Sequence, residues 1–170
     1  MSITCARGGR FTALVTAIAC VAASPVVTAA DAPPVPLAER AAGAHTVVVA
    51  RALSVEPRFQ TNAHGDQLIV STVLLQVEET LKGPAVETAW MEIEGGTLGG
   101  VTLRVSDLPE IRAGARAVFF FDPPRAGLHR PHRRGLGILE LDRRDVVRGS
   151  SLHLDEVRRV VGGTRVSPQQ

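Results

Sequence analysis

Several groups of residues have types and spacings that could do chemistry. His45, His64, Asp66 and Ser71 supply the letters of a hydrolytic triad. No Gly-x-Ser-x-Gly elbow presents Ser71, and Asn62 to Asp66 has the composition of a turn. Glu92 and Glu94 share one face of an extended segment, as paired carboxylates could, and as any exposed strand face does at period two. His129 and His132 stand three apart. A metal site needs a third ligand and an ordered surround, and Pro131 and the neighbouring arginines disfavour a cation there. No metal and no cofactor is expected.

Two loops are the candidates for contact with a partner. Arg125, Arg130, Arg133 and Arg134 crowd one basic loop, residues 123–135, suited to an acidic partner or to phospholipid head groups. It can also be a solvated surface loop, neutralised by Glu140, Asp142 or Asp145. Gly96, Thr97, Leu98 and Gly99 lie in a glycine-rich link that could bring backbone N–H groups close to a ligand. Glycines equally supply positive φ between strands, and the link lacks the Lys-Ser/Thr ending of a phosphate-binding loop. It is expected to be a hinge between two strands of a barrel. Trp90 is expected to pack in the core or at a strand edge.

The elements that must position these residues are mostly strands. Residues 46–55 (TVVVARALSV) are β-branched, with Arg51 calling for a bulge or a surface-reaching side chain. Residues 67–81 form a long second run whose β-branched content favours a bent strand over a helix. Lys82-Gly83-Pro84 ends it. Residues 88–94 and 101–106 alternate as half-buried strands, and 115–121 carry Phe119, Phe120 and Phe121 in a row, which requires cover on both faces. Short strands are expected at 137–141 and 145–148. Leu154, Val157, Val160 and Val161 make the apolar stripe of a closing helix, stopped by Gly162-Gly163. A short helix precedes the first strand at residues 37–42.

The N-terminal residues read differently. Arg7 and Arg10 precede an apolar run, residues 11–23, too short to span a bilayer. Thr28-Ala29-Ala30 before Asp31 fits a signal-peptidase site. Residues 1–30 are therefore expected to be a secretory signal peptide, 31–36 a Pro-rich leader, 37–163 one domain and 164–170 a loose tail. Cys5 and Cys20 fall before the cleavage point, so the mature chain has no thiol chemistry and no disulfide. Ala17-Ile18-Ala19-Cys20 loosely resembles a bacterial lipobox, with Ala17 where leucine is usual; lipid anchoring at Cys20 is the alternative to soluble export into the periplasm or medium. The 19 Lys+Arg exceed the 17 Asp+Glu by two, and Arg7 and Arg10 account for the surplus. Balanced charge, the absence of Tyr and few aromatics argue against nucleic acid. The mature chain offers no integral membrane span.

From His45 to Phe121 the layout resembles the netrin-like domains, which include the tissue inhibitors of metalloproteinases. The resemblance lies in the strand at Thr46 to Ser54, the run from Ile69 to Val77 into Lys82-Gly83-Pro84, the glycine link into Gly100 to Leu103, and the turn at Ala113-Gly114. It is similar also to a skeleton found in exported bacterial proteins. The resemblance implies an OB-type five-stranded barrel and places a protease among the candidate partners. Those inhibitors chelate the protease zinc through an N-terminal cysteine; the mature chain has none, so the barrel carries over and the inhibitory chemistry does not. The expectation is thus a mainly β domain, an OB-like small β-barrel of about five to seven strands with one C-terminal helix. Its expected role is that of an exported non-catalytic binding module of the bacterial envelope or secretome. A small exported hydrolase and an envelope structural subunit are the alternatives.

Overall fold

The computed structural model describes residues 35–163. The expected signal peptide, residues 31–34 of the Pro-rich leader and the expected tail lie outside the described residues. Helix α1 (Leu37–Gly43) leads into two long strands, β1 (Thr46–Thr61) and β2 (Gln67–Lys82), and then β3 (Thr88–Glu94). A small hairpin follows, β4 (Gly96–Leu98) and β5 (Val101–Leu103). Next come β6 (Arg116–Phe121), β7 (Leu128–His129), a 3-10 turn (Arg134–Gly137), β8 (Ile138–Glu140) and helix α2 (Leu154–Gly163).

The main sheet has the order β7-β3-β2-β1-β6-β8 and curls on itself. Its closure lies in the segment from β7 to His132. Leu128 and His129 pair in parallel with Trp90 and Met91 of β3. Pro131 bridges Phe121, the Asp122 N–H donates to the Arg130 carbonyl at 3.1 Å, and the His132 N–H donates to the Phe120 carbonyl at 2.7 Å. One short segment thus joins β3 to β6. The chain is a mainly β, OB-like, partly open barrel with a C-terminal helix, as its strand pattern predicts.

Two apolar cores follow from strand alternation. Val48, Ala50, Ala52, Val73, Leu75, Met91, Phe119 and Phe121 fill the barrel interior. Val47, Val49, Val118 and Phe120, on the opposite face, pack against Leu154, Val157 and Val161 of α2 and Ala41 of α1. The three consecutive phenylalanines are fully buried because each side of β6 meets a different core. Burial of each such side chain contributes roughly 1.5–3 kcal/mol. Arg51 reaches the surface and pairs with Glu78 at 3.2 Å; Val48, Ala50 and Ala52 alternate inward past it, and the register shift between Ala52 and Ser54 brings Val55 to the same core.

The Lys82-Gly83-Pro84 corner does more than end β2. Lys82 Nζ donates to the carbonyls of Ala41, Ala42 and Ala44 at 2.7, 3.1 and 2.7 Å. These are the open carbonyls at the C-terminal end of α1, where a cation is electrostatically favoured. Lys82→Met keeps the aliphatic stem and removes the charge. It is expected to cost about 1–3 kcal/mol in urea denaturation and to loosen α1, read as faster amide exchange at Ala44.

Several sequence expectations need correction. β1 continues to Thr61, because its second half pairs with β2 out to Gln67. The strand expected over 101–106 stops at Leu103 and pairs only with β4, outside the main sheet. The Gly95–Gly100 link is therefore the base and tip of a separate hairpin, not a hinge between two barrel strands. Residues 145–148 make only isolated bridges, Leu141 with Val147 and Val146 with His153. The basic loop holds β7 and the 3-10 turn.

Candidate functional site

The two candidate loops border two adjoining clefts. The first, about 550 Å³, opens between the tip of the β1–β2 hairpin and the Arg130–Arg134 turn. Its floor is the outward face of β2 and β3. Leu68, Val70, Glu92 and Glu94 point there because they alternate with the inward Ile69, Ser71 and Met91, and Ile93 reaches the cleft edge. Glu92 is the pivot of this face. Its side chain is only 10% exposed and accepts from Arg58 and Arg130, both at 2.6 Å. Burial works against its charge, but the hydrogen bonds and charges of Arg130 and Arg58 outweigh it and hold the carboxyl below its usual range. Arg58 also donates to Thr72 across the strand pair. Trp90 lies on the same outward face and is 42% exposed, not in the core. In register beside it stand Leu74 of β2 and Leu128 of β7.

The basic loop is largely neutralised, by partners far away in sequence. Arg130 pairs with Glu92, Arg133 with Glu39 at 2.8 Å, and Arg134 with Asp107 at 2.5 Å and Glu94 at 3.0 Å. Hydrogen bonds to Asp107 first, and to Glu94, raise the Arg134 guanidinium pKa further above its ordinary value. The acids expected to do this act elsewhere: Asp145 pairs with Arg116, Glu140 with Arg148, and Asp142 caps the turn at Arg144 and Val146. Arg125 is exposed and no carboxylate lies within ion-pair distance of it among the described residues.

The second cleft, about 750 Å³, lies between the mouth of the barrel and the β4–β5 hairpin. Gly96 and Thr97 line it, whereas Leu98 and Gly99 sit at the hairpin tip. Ser71 Oγ donates to the Gly95 carbonyl at 2.6 Å and fixes the hairpin base. Gly96 has φ +134°, and a Cβ there would meet Ser71 Oγ at 2.6 Å, so only glycine fits. Arg134 ties Asp107 to Glu94 and so braces the seam between the clefts, to both of which Glu94 and Leu108 belong.

The residues with hydrolytic letters are not brought together. His45 contacts Thr46 Oγ1 at 2.9 Å, Asp66 accepts from Asn62 at 3.0 Å, the His64 N–H donates to Asn62, and Ser71 serves Gly95. Glu92 and Glu94 are each held by arginines. His132 Nδ1 lies 2.6 Å from Asp122 Oδ1. His129 packs at a tilt against Phe121 at a ring distance of 4.7 Å, and its Nδ1 is buried without a partner. Among the described residues no three metal-ligating side chains come together, and no helix is long and apolar enough to cross a membrane.

Burial, and secondarily the nearby His45, pushes the His129 imidazole pKa below its ordinary 6.5. The unfolded chain therefore takes up this proton at higher pH than the folded one. The His129 contribution to stability is complete above about pH 6.5 and is lost as pH falls through that value toward the depressed one. His129→Gln is expected to flatten the decline of the urea midpoint between about pH 6.5 and 5. An unchanged slope contradicts the assignment.

Fold and clefts together define a mainly β, OB-like barrel with an outward face and an open mouth, both bordered by loops. No protein-family model matches the chain, and no curated protein matches it.

Proposed function

We propose that the protein is an exported, non-catalytic binding module of the bacterial envelope or secretome, a relative of the netrin-like barrels whose mature chain lacks the family cysteines. It engages a protein partner through the outward face of β2 and β3 and the arginine rim beside it. The observation that carries this is the first cleft: an open, polar-rimmed groove floored by Leu68 and Val70 and framed by Arg130, Arg134 and Gln60. OB-type barrels bind on the corresponding strand face and through the loops at its ends. Trp90 offers a large, half-exposed anchor on the same face, of the kind that dominates interface energetics. The dispersal of the hydrolytic letters over unrelated contacts supports a binding role over a catalytic one. A protease is the first partner to try, from the family resemblance.

The test is retention of envelope and secretome proteins by the immobilised chain from Asp31 onward, beside its Arg130→Glu variant, across a salt series. A defined protein held by the wild type, released by salt and lost in the variant is expected. Identical retention by both, or none by either, overturns the proposal.

A further inference from the structure

The second cleft has features that a protein-contact face does not need. We propose that the mouth of the barrel is a binding pocket for a small anionic amphiphile, a carboxylate or phosphate head on a single apolar tail. This goes beyond the partner surface on β2 and β3 and does not depend on it.

The cavity's size falls in the range of ligand sites, roughly 300–1,000 Å³, at about 750 Å³. Mouths of β-barrels are among the places where such sites form. Val55, Ile93, Leu108 and Ile111 line it and also belong to, or pack against, the interior core. The cavity is thus an open extension of that core, and Leu103 and Val105 continue the apolar wall outward. An apolar tail laid there removes core-edge surface from water.

The head group is specified by charge. Four arginines line the two clefts: Arg104, Arg112, Arg130 and Arg134. Arg112 is held by both oxygens of Glu110, Arg130 by Glu92, and Arg134 by Asp107 and Glu94. Arg104 alone of the four has no carboxylate within ion-pair distance among the described residues. Glu110 is already engaged by Arg112, which is the main cause holding its carboxyl below the usual range. A guanidinium at the rim of an apolar cavity, near Glu110 but hydrogen-bonded to no carboxylate, complements an anionic head. The β4–β5 hairpin forms the outer wall, its two strands joined by the Thr97–Thr102 hydroxyl contact at 2.9 Å. The glycine link thereby acquires a use: it folds the hairpin over the mouth.

The test is fluorescence titration of the full chain with dansyl-undecanoate, followed by displacement with decanoate and with decanol. Saturable binding of one probe per chain is expected, with decanoate displacing it about tenfold better than decanol, since a charge-assisted hydrogen bond is lost with the alcohol. Arg104→Gln is expected to weaken decanoate about tenfold and leave decanol unchanged. Val105→Trp, which narrows the cavity, is expected to weaken probe binding about tenfold or more while the circular dichroism spectrum is retained. No saturable binding to the wild type overturns the proposal. So does binding indifferent to both substitutions, which would place the probe elsewhere on the chain.

Discussion

Phe121→Ala is expected to destabilise the domain by about 3–5 kcal/mol, a large fraction of the roughly 5–15 kcal/mol that holds a typical domain folded. Phe121 is fully buried, stacks on Phe119 at a ring distance of 5.7 Å and packs at a tilt against His129 at 4.7 Å. Its backbone is tied in as firmly as its ring. It pairs with Thr46, bridges Pro131 and accepts from the His45 N–H at 2.8 Å. The residue therefore sits where β1, β6 and the closing segment meet. Removing the ring leaves a void at this junction, which the paired backbones prevent from collapsing. Urea denaturation monitored by Trp90 fluorescence measures the loss. Phe121→Leu, which keeps most of the volume, is expected to cost under about 1.5 kcal/mol. Equal costs for the two would mean that the void is not what matters.

Gly135→Ala is expected to cost about 3 kcal/mol, far more than removing the neighbouring charge. An added Cβ at Gly135 would fall well inside van der Waals contact with the Asp107 carbonyl oxygen, and 2.8 Å from its carbon. Both are backbone atoms, so the 3-10 turn and the segment at Asp107 must separate. Arg134 would lose its pairing with Asp107, and the seam between the clefts would open. Arg134→Ala is the control. Its ion pairs are about half exposed and largely screened, so their loss is expected to cost about 1 kcal/mol or less. Limited proteolysis reads the second consequence: Gly135→Ala is expected to expose residues 104–113 to cleavage, and Arg134→Ala much less. Similar melting points for the two variants would contradict a steric seam.

Much of the barrel could be read from short-range pattern. Three phenylalanines in a row demand cover on both faces, and β6 has two cores to provide it. The stripe on α2 follows from helical spacing, with Leu154, Val157 and Val161 fully buried. What resisted reading is non-local. Lys82 marks a turn in the sequence, but the carbonyls it caps lie 38 to 41 residues earlier. β7 has two residues, too few to show a period, yet it pairs in parallel with β3 and begins the segment that links β3 to β6. The glycine pairs announce tight turns and carry no sign of which sheet the chain enters next. At the candidate site, the arginine loop was visible as a composition, while its counter-ions Glu39, Glu92, Glu94 and Asp107 come from other elements. Arg58 and Trp90 were missed as neighbours of that loop. Their signal was available in strand parity, which puts Trp90 and Glu92 on one face, but the register between β1, β2 and β3 was needed to add Arg58.

The claim that the β2–β3 face and the arginine rim bind a partner is tested most directly by photo-crosslinking in cells that produce the protein. The crosslinking residue benzoylphenylalanine is placed at Gln60, exposed on the rim of the first cleft, at Arg125, exposed in the basic loop that supplies Arg130 and Arg134 to that rim, and at Arg159, exposed on α2. The prediction is one discrete adduct of the same mass increment from Gln60 and Arg125, absent from Arg159 and lost when Arg130→Glu is added. Adducts from Arg159 alone, or the same adduct from all three positions, would contradict it.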